Sequence, residues 1–202
     1  MLTVRDARLR VLTIDGPGGH RALPGGFVGA GESPEVTARR KLRGKTGLAD
    51  VYLEQLATFA DPGRDPRGWI PTIAHLALVP SATAPTDPGA RWTKAPGRRR
   101  WAFDHEEILR TAIERLEGKL WWSNVAVGIL PAAFTMTDAR HVYEAIAGRE
   151  YDAATFARDL KATGLVEPTG ERRAEGPGRP AALYRFCDSE PRWGLGRRKR
   201  IA

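Results

Sequence analysis

The chain has little sulfur and no long apolar run. It contains a single cysteine, Cys187, and two methionines among its 202 residues. One cysteine excludes an intrachain disulfide and any zinc site built from several cysteines. No apolar segment approaches the roughly 20 residues needed to span a bilayer, and no signal-like apolar region follows Met1. We therefore expect a cytoplasmic protein that does not enter a membrane.

Charged residues are abundant, and the basic ones are in excess. Lys and Arg number 32 against 24 Asp and Glu, which gives a formal net charge of +8 and a pI of about 10.1. A hydrophobic share of 42% with 28% charged residues is typical of a globular protein. The positive excess favours a polyanionic partner such as nucleic acid.

A glycine-rich turn followed by a basic helix extends from Leu23 to Leu48. Pro34 and Glu35 predict the first turn of this helix, and Gly47 predicts its end. The stretch resembles the Nudix box, the loop–helix–loop signature of hydrolases that cleave nucleoside diphosphates linked to another group. The residues that match its spacing are Gly26, Glu32, Arg40, Leu42, Gly47 and Leu48.

Three glutamates that the Nudix pattern places in this helix are replaced by Lys41, Gly44 and Lys45. The three positions share one helix face, because they are related by i, i+3 and i+4. Carboxylates there would surround Mg²⁺ or Mn²⁺, whereas ammonium groups have no lone pair to offer. We therefore predict neither a metal site nor metal-dependent hydrolysis. A metal site rebuilt from Glu32, Glu35 or another acid is the alternative.

Two predicted strands, 51–59 and 70–79, flank a loop rich in proline and glycine. The loop resembles the G-R-D-P-R-G segment of Nudix proteins that handle ADP-ribose and of the regulators related to them. Arginine forks suit bidentate phosphate recognition, although an ion pair that only fixes the loop is the alternative. The predicted ligand-binding residues are Arg40, Lys45, Arg64, Asp65 and Arg67.

The following segment contains fewer signals. Residues 81–100 are rich in proline, glycine, threonine and alanine, and the first part predicts a flexible insertion or excursion. The segment ends in an arginine triplet, 98–100, that either faces nucleic acid or is a solvated run, and a short apolar strand is predicted at 101–103. Apolar residues at helical spacing predict a helix over 104–117 that Gly118 ends. His105 is interpreted as a surface or helix-start residue, not as a base.

The last third of the chain changes in character. Helical spacing predicts helices over 135–148 and 152–164, joined by a short turn, and then two strands, 165–168 and 182–186, that flank a basic hairpin. This is the order of a winged helix, in which the second helix enters the major groove. A small α+β cap used for dimerisation or as a lid is the alternative. The predicted DNA-binding residues are Thr155, Arg158 and Lys161 of the helix and Arg172, Arg173 and Arg179 of the wing.

Taken together, the two halves resemble the Nudix-related transcriptional regulators of NAD metabolism, the NrtR-type repressors. The resemblance is carried by the Nudix-like frame, by Leu130-Pro131 with Phe134-Thr135, and by segments 63–68, 142–146, 164–170 and 178–181. It implies an α+β protein: an N-terminal Nudix-like α/β/α sandwich (1–128), a C-terminal winged helix-turn-helix domain (129–190) and a basic tail (191–202).

The resemblance also implies partners. A homodimer is expected to bind a palindromic double-stranded DNA operator upstream of NAD biosynthesis or salvage genes, at the bacterial nucleoid. ADP-ribose or a related nucleotide is the expected effector, by analogy, since other regulators of this architecture sense sugars. No catalytic residue, cofactor or metal is expected. The competing hypotheses are a Nudix hydrolase of the ADP-ribose pyrophosphatase type with an accessory C-terminal domain, and a metabolite-binding interaction protein.

Overall fold

The computed structural model of the chain describes residues 1–48, 51–174 and 180–189. The chain divides into two compact units after Arg115. None of the described helices is long and apolar enough to cross a membrane. Arg179 and the tail 191–202, for which DNA contacts and a basic extension were predicted, lie outside the described residues.

The first unit is built on a six-stranded sheet. Its strands are β1 (Leu2–Arg5), β2 (Arg8–Asp15), β3 (Arg21–Ala22), β4 (Tyr52–Phe59), β5 (Thr72–Leu78) and β6 (Arg91–Lys94). The order is β3-β2-β1-β5-β4, and β6 also pairs with β2. Strands β1 and β5 run parallel, whereas the β1–β2, β2–β3, β2–β6 and β4–β5 pairs are antiparallel.

Two predictions for the strands of this unit are wrong. No strand was predicted in segment 81–100, yet it contains β6, which pairs Arg91–Lys94 with Arg10–Thr13. The predicted strand at 101–103 does not form, because Trp101 makes only an isolated bridge to Arg21 and Phe103 has a φ of 54°. Both errors have the same origin: strand pairing is decided by partners far away in sequence, which composition does not reveal.

Two helices accompany the sheet, α1 (Pro34–Thr46) and α2 (His105–Lys119). The side chain of Ser33 caps α1 by accepting a hydrogen bond from the Val36 amide at 3.2 Å. Gly47 ends α1 with a φ of 74°, a left-handed conformation that favours glycine, so the predicted stop is confirmed. The predicted stop at Gly118 is wrong, because α2 continues through it to Lys119.

The second unit contains α3 (Met136–Ala147), α4 (Ala153–Ala162), β7 (Val166–Arg173) and β8 (Ala181–Phe186). Thr135 and Asp138 form a capping box at the start of α3, and Gly148 ends it with a φ of 66°. The Asp152 side chain caps α4 by accepting from the Thr155 amide at 2.9 Å. The predicted order of helix, turn, helix and hairpin is confirmed.

An aromatic cluster fills the core of this second unit. The ring of Trp121 lies edge-on to Tyr143, Tyr151 and Phe156, with centroids 5.2 to 5.8 Å apart. The Tyr143 hydroxyl donates to the Leu120 carbonyl at 2.8 Å, so the polar end of this buried ring is satisfied. These contacts fix α3 against α4 and so determine which face of α4 remains exposed.

Candidate functional site

The acid of the glycine-rich loop, Glu32, is held by the helix that follows it. Its carboxylate accepts hydrogen bonds from Arg40 Nε at 2.9 Å, Arg40 Nη2 at 2.6 Å and Thr37 Oγ1 at 2.7 Å. The Arg40 guanidinium is the main cause that lowers the pKa of Glu32 to about 2. Arg40, which was predicted to bind ligand, therefore fastens the loop to α1.

Lys45 is also engaged with the protein itself. Its ammonium group pairs with Asp87, whose carboxylate also accepts from the Gly89 amide at 2.7 Å. The bond from Lys45 is the largest cause of the lowered pKa of Asp87. The Lys45 carbonyl in turn accepts from the Thr86 amide at 3.0 Å. Lys45 thus anchors the segment around 86–89 to the end of α1, and its charge is compensated.

Lys41 extends over the glycine-rich loop. A Cβ placed on Gly26 would lie 2.7 Å from Lys41 Nζ, so a side chain at position 26 would displace the tip of the lysine. With glycine at position 26, the lysine tip lies directly against the loop backbone. Among the residues that the structure describes, Lys41 has neither an acidic nor another hydrogen-bonding partner. The space around Gly44, one turn further on, is open within 4 Å.

Arg64 of the loop between β4 and β5 points into the protein. Its guanidinium donates to Asp104 at 2.7 and 2.6 Å and to the Ile70 carbonyl at 2.8 Å. Only 4% of its side chain is exposed. This paired and buried guanidinium fixes the loop to the start of α2. Arg64, which was predicted to bind ligand, therefore has a structural contact in this position.

Asp65 and Arg67 form the outer part of the same loop. Asp65 accepts from the Arg67 amide at 3.0 Å, from Nε at 2.9 Å and from Nη2 at 2.6 Å, and Arg67 lowers the pKa of Asp65 to about 2. The Arg67 guanidinium lies 5.3 Å from the ring centroid of Phe103 and 6.0 Å from that of Phe27. With 58% of its side chain exposed, Arg67 is the most accessible of the five predicted ligand-binding residues.

In the second unit, the outer face of α4 carries the predicted groove-contacting residues. Thr155, Arg158 and Lys161 are all exposed. Among the described residues, Arg158 bonds only to its neighbour Asp159, at 2.9 Å on the surface. Lys161 Nζ lies 5.2 Å from the ring centroid of Tyr184 on β8. The structure therefore brings these three side chains to one solvent-facing surface.

The wing arginines differ from one another. Arg172 is exposed and donates to the Pro180 carbonyl across the hairpin at 3.0 Å. Arg173 donates to Asp138 at 2.6 Å, and the same carboxylate oxygen accepts from the Thr135 amide at 2.8 Å in the cap of α3. Arg172 and Arg173 are adjacent in sequence, yet within the part of the chain that the structure describes only Arg173 bonds to the helical part of the unit.

Two family profiles match consecutive parts of the chain. The NUDIX domain matches residues 1–119, more than half of the chain, and the NrtR DNA-binding winged helix domain matches residues 126–186. This chain belongs to the NrtR-type family of Nudix-related regulators.

Individual relatives agree with this assignment. The ADPR responsive transcriptional repressor NtrR of Acinetobacter baylyi is 34% identical over 174 residues, which cover 82% of this chain and 69% of the relative. The crystal structure of Shewanella oneidensis NrtR complexed with a 27mer DNA matches with a TM-score of 0.79 at 33% identity, over 92% of this chain and 90% of that one. The ADP-ribose pyrophosphatase of Methanocaldococcus jannaschii is 33% identical over 92 residues, 44% of this chain and 54% of the relative. The predicted family and the predicted order of a Nudix-like α/β unit followed by a winged helix are confirmed.

In this NrtR-type chain, the two glutamates that were the alternative source of a metal site pair with arginines. Glu35, which with Glu32 was the alternative source of a metal site, lies 3.0 Å from Arg39. Within the described ranges, no three histidine, cysteine, aspartate or glutamate side chains come together as metal ligands. The residues present in the Nudix-like stretch therefore suit an anion better than a divalent cation.

His105 connects the glycine-rich stretch to α2 in a way that sequence reasoning missed. Its Nδ1 accepts a hydrogen bond from the Leu23 amide at 3.0 Å, so the neutral ring carries its proton on Nε2. Burial lowers the pKa of His105 to about 4. His105 does stand at the helix start, as predicted, but its ring is partly buried and supports the entry to the loop. Only the unusual placement of a histidine beside a predicted helix cap could have suggested this contact.

A cleft of about 220 Å³ opens between the first turn of α1 and strands β4 and β5. Glu35, Glu54 and His75 are among its lining residues. None of the five predicted ligand-binding residues lines it, and its carboxylates would repel a phosphate. The cleft is therefore a poor match for the anionic ligand that the arginine-bearing loop favours.

Proposed function

We propose that this chain is a ligand-responsive, sequence-specific DNA-binding repressor of NAD biosynthesis or salvage genes, which acts as a homodimer on a palindromic operator. The observation that carries the proposal is the exposed outer face of α4, where Thr155, Arg158 and Lys161 stand together in a unit of the DNA-binding winged helix family. The similar NrtR of Shewanella oneidensis has been crystallised in complex with a 27mer DNA.

In the proposed complex, α4 enters the major groove. Arg158 and Lys161 supply the donors that base edges and phosphates accept, and Thr155 stands at the amino-terminal end of the helix, where recognition helices meet bases. In the wing, Arg172 and Arg179 are each proposed to contact a phosphate of the DNA backbone. Phosphate contacts fix the register on the duplex, whereas contacts to base edges determine which sequence is bound.

The proposed effector is ADP-ribose or a related phosphorylated nucleotide that binds to the first unit. Arg67 supports this proposal, since its exposed guanidinium is oriented by Asp65 and two aromatic rings and suits a phosphate or a nucleobase. The Acinetobacter relative is described as ADPR responsive. Regulation requires that the effector bind the DNA-competent and the incompetent dimer with different affinities.

The test is a binding titration of the full chain on labelled fragments from upstream of the NAD genes, with and without ADP-ribose. We expect a sequence-selective complex that weakens as salt rises and as ADP-ribose is added. Arg158→Ala should weaken operator binding, and Arg110→Ala, at an exposed position of α2, is the matched control. A complex that is indifferent to DNA sequence, or no complex at low salt, contradicts the proposal.

We further propose that the Nudix-like unit has lost hydrolase activity, because lysine and glycine stand where the metal-binding glutamates are expected. The similarity to an ADP-ribose pyrophosphatase makes the hydrolase the hypothesis to exclude. Incubation with ADP-ribose and Mg²⁺ or Mn²⁺ should release neither AMP nor ribose phosphate. Release that Glu32→Gln abolishes would instead support the hydrolase.

A further inference from the structure

Three of the five basic residues of α1 differ in what neutralises them. Arg40 gives two hydrogen bonds to Glu32, and Lys45 pairs with Asp87. Lys41 has no such partner among the described residues. An anion that approached Arg40 or Lys45 would compete with a carboxylate already in place, whereas one that approached Lys41 would meet an uncompensated charge.

The Lys41 ammonium group lies against the backbone of the loop at Gly26. Its Nζ would lie 2.7 Å from a Cβ on Gly26, so it occupies space that a side chain at position 26 would take by displacing the lysine tip. The open surroundings of Gly44 leave room beside it on the same helix face. A cation next to a glycine backbone is an arrangement that suits a phosphate oxygen, because the oxygen can approach both closely.

We propose that Lys41, and not Arg40 or Lys45, is the residue that binds the diphosphate of the effector, and that its ammonium group replaces a divalent metal in that role. The inference rests on the proposed function, in which the effector is a nucleoside diphosphate derivative. A lysine ammonium carries three donors and no acceptor, so it holds phosphate oxygens directly and gives a metal ion no ligand. Effector binding is then independent of divalent cations.

The experiment is calorimetric titration of the full chain with ADP-ribose, once in EDTA and once with Mg²⁺. We compare the parent protein with Lys41→Met and with the matched control Lys45→Met, since methionine keeps an unbranched stem of similar length and removes the charge. The loss of a charge-assisted hydrogen bond predicts a Kd about 10- to 100-fold higher for Lys41→Met. Lys45→Met should remain within about 3-fold of the parent, and Mg²⁺ should not tighten binding by the parent.

A double-mutant cycle tests the contact itself. Gly26→Ala places a Cβ where the Lys41 tip lies and should weaken binding by displacing that tip. In the Lys41→Met background the same change should add little, because the charge that it displaces is already gone. Additive losses would overturn the assigned contact. Thermal unfolding of each variant separates a lost contact from a lost fold.

The outcomes separate the inference from the proposed function. If the parent binds ADP-ribose in EDTA and Lys41→Met binds it equally well, the inference is overturned while the proposed function stands. Binding by the parent that requires Mg²⁺ has the same consequence for the inference. If the parent binds no ADP-ribose under either condition, both the inference and the proposed effector are overturned.

Discussion

Replacement of Arg64 by methionine tests whether the loop between β4 and β5 uses its first arginine for stability or for ligand. The guanidinium makes two hydrogen bonds to Asp104 and one to the Ile70 carbonyl, and 4% of its side chain is exposed. Methionine fills a similar volume but donates nothing, so Asp104 is left with a carboxylate that is only 16% exposed and unpaired. The expected result is a less stable first unit.

The magnitude follows from the geometry of this pair. Removal of one partner of a buried ion pair costs about 3–5 kcal/mol, because the other charge stays desolvated. For a unit of this size, that loss lowers the unfolding temperature by about 10–20 °C. Differential scanning calorimetry of the full chain should show the transition of the first unit at a lower temperature and that of the second unit unchanged.

Arg110→Met is the stability control, because Arg110 pairs with the exposed carboxylates of Glu107 and Glu114 on its own helix and the unfolding temperature should change by a few degrees at most. Arg67→Met is the ligand-binding variant in the same loop as Arg64. ADP-ribose binding should weaken in Arg67→Met. A structural role for Arg64 is refuted if Arg64→Met melts like the parent and yet loses ADP-ribose binding, because Arg64 would then contact the ligand directly.

Other predictions concern the wing, the Nudix-like helix and pH. Arg172→Ala should reduce the salt dependence of operator binding by about one unit of slope, whereas Arg173→Ala should leave the slope unchanged and destabilise the second unit, as salt titrations and unfolding curves would show. Gly44→Ala should raise the free energy of unfolding by about 0.5–1 kcal/mol in denaturant titrations, since the helix interior disfavours glycine and the space around it is open. Because burial lowers the pKa of His105 to about 4, its neutral form is favoured in the folded state. The free energy of unfolding that depends on the neutral ring is fully present above about pH 6.5 and falls by on the order of 3 kcal/mol as the pH falls towards 4. His105→Gln should flatten that part of the pH–stability curve.

The helix ends could be predicted from sequence because their signals are local. Gly47 and Gly148 end α1 and α3 in left-handed conformations, and Asp152 caps α4 with its own side chain. Strand β6 could not be predicted in the same way, because its register is set by β2, about 80 residues earlier in the chain. Proline and glycine around β6 indicated a loop, and the pairing overrode that tendency.

The residues of the candidate site could be named from the sequence, but the groups that they contact could not. Spacing indicated arginines and lysines in the right loops, yet whether a cation faces a ligand or the protein depends on acids remote in sequence. Arg64 pairs with Asp104, 40 residues later in the sequence, and Lys45 pairs with Asp87, 42 residues later. The sequence shows that Lys41 replaces a glutamate of the Nudix pattern. It does not show that Arg40 and Lys45 pair with acids while Lys41 does not.

The shared carboxylate of Asp138 gives the second unit an internal reporter. The oxygen that accepts from Arg173 of the wing also accepts from the backbone amide of Thr135. A phosphate that binds Arg172, the preceding residue of β7, should shift this strand and alter the bond between Arg173 and Asp138. The proton of the Thr135 amide should then exchange with solvent at a different rate. Hydrogen exchange at this one position in the helix cap would then record whether the wing is occupied, without a label on either molecule.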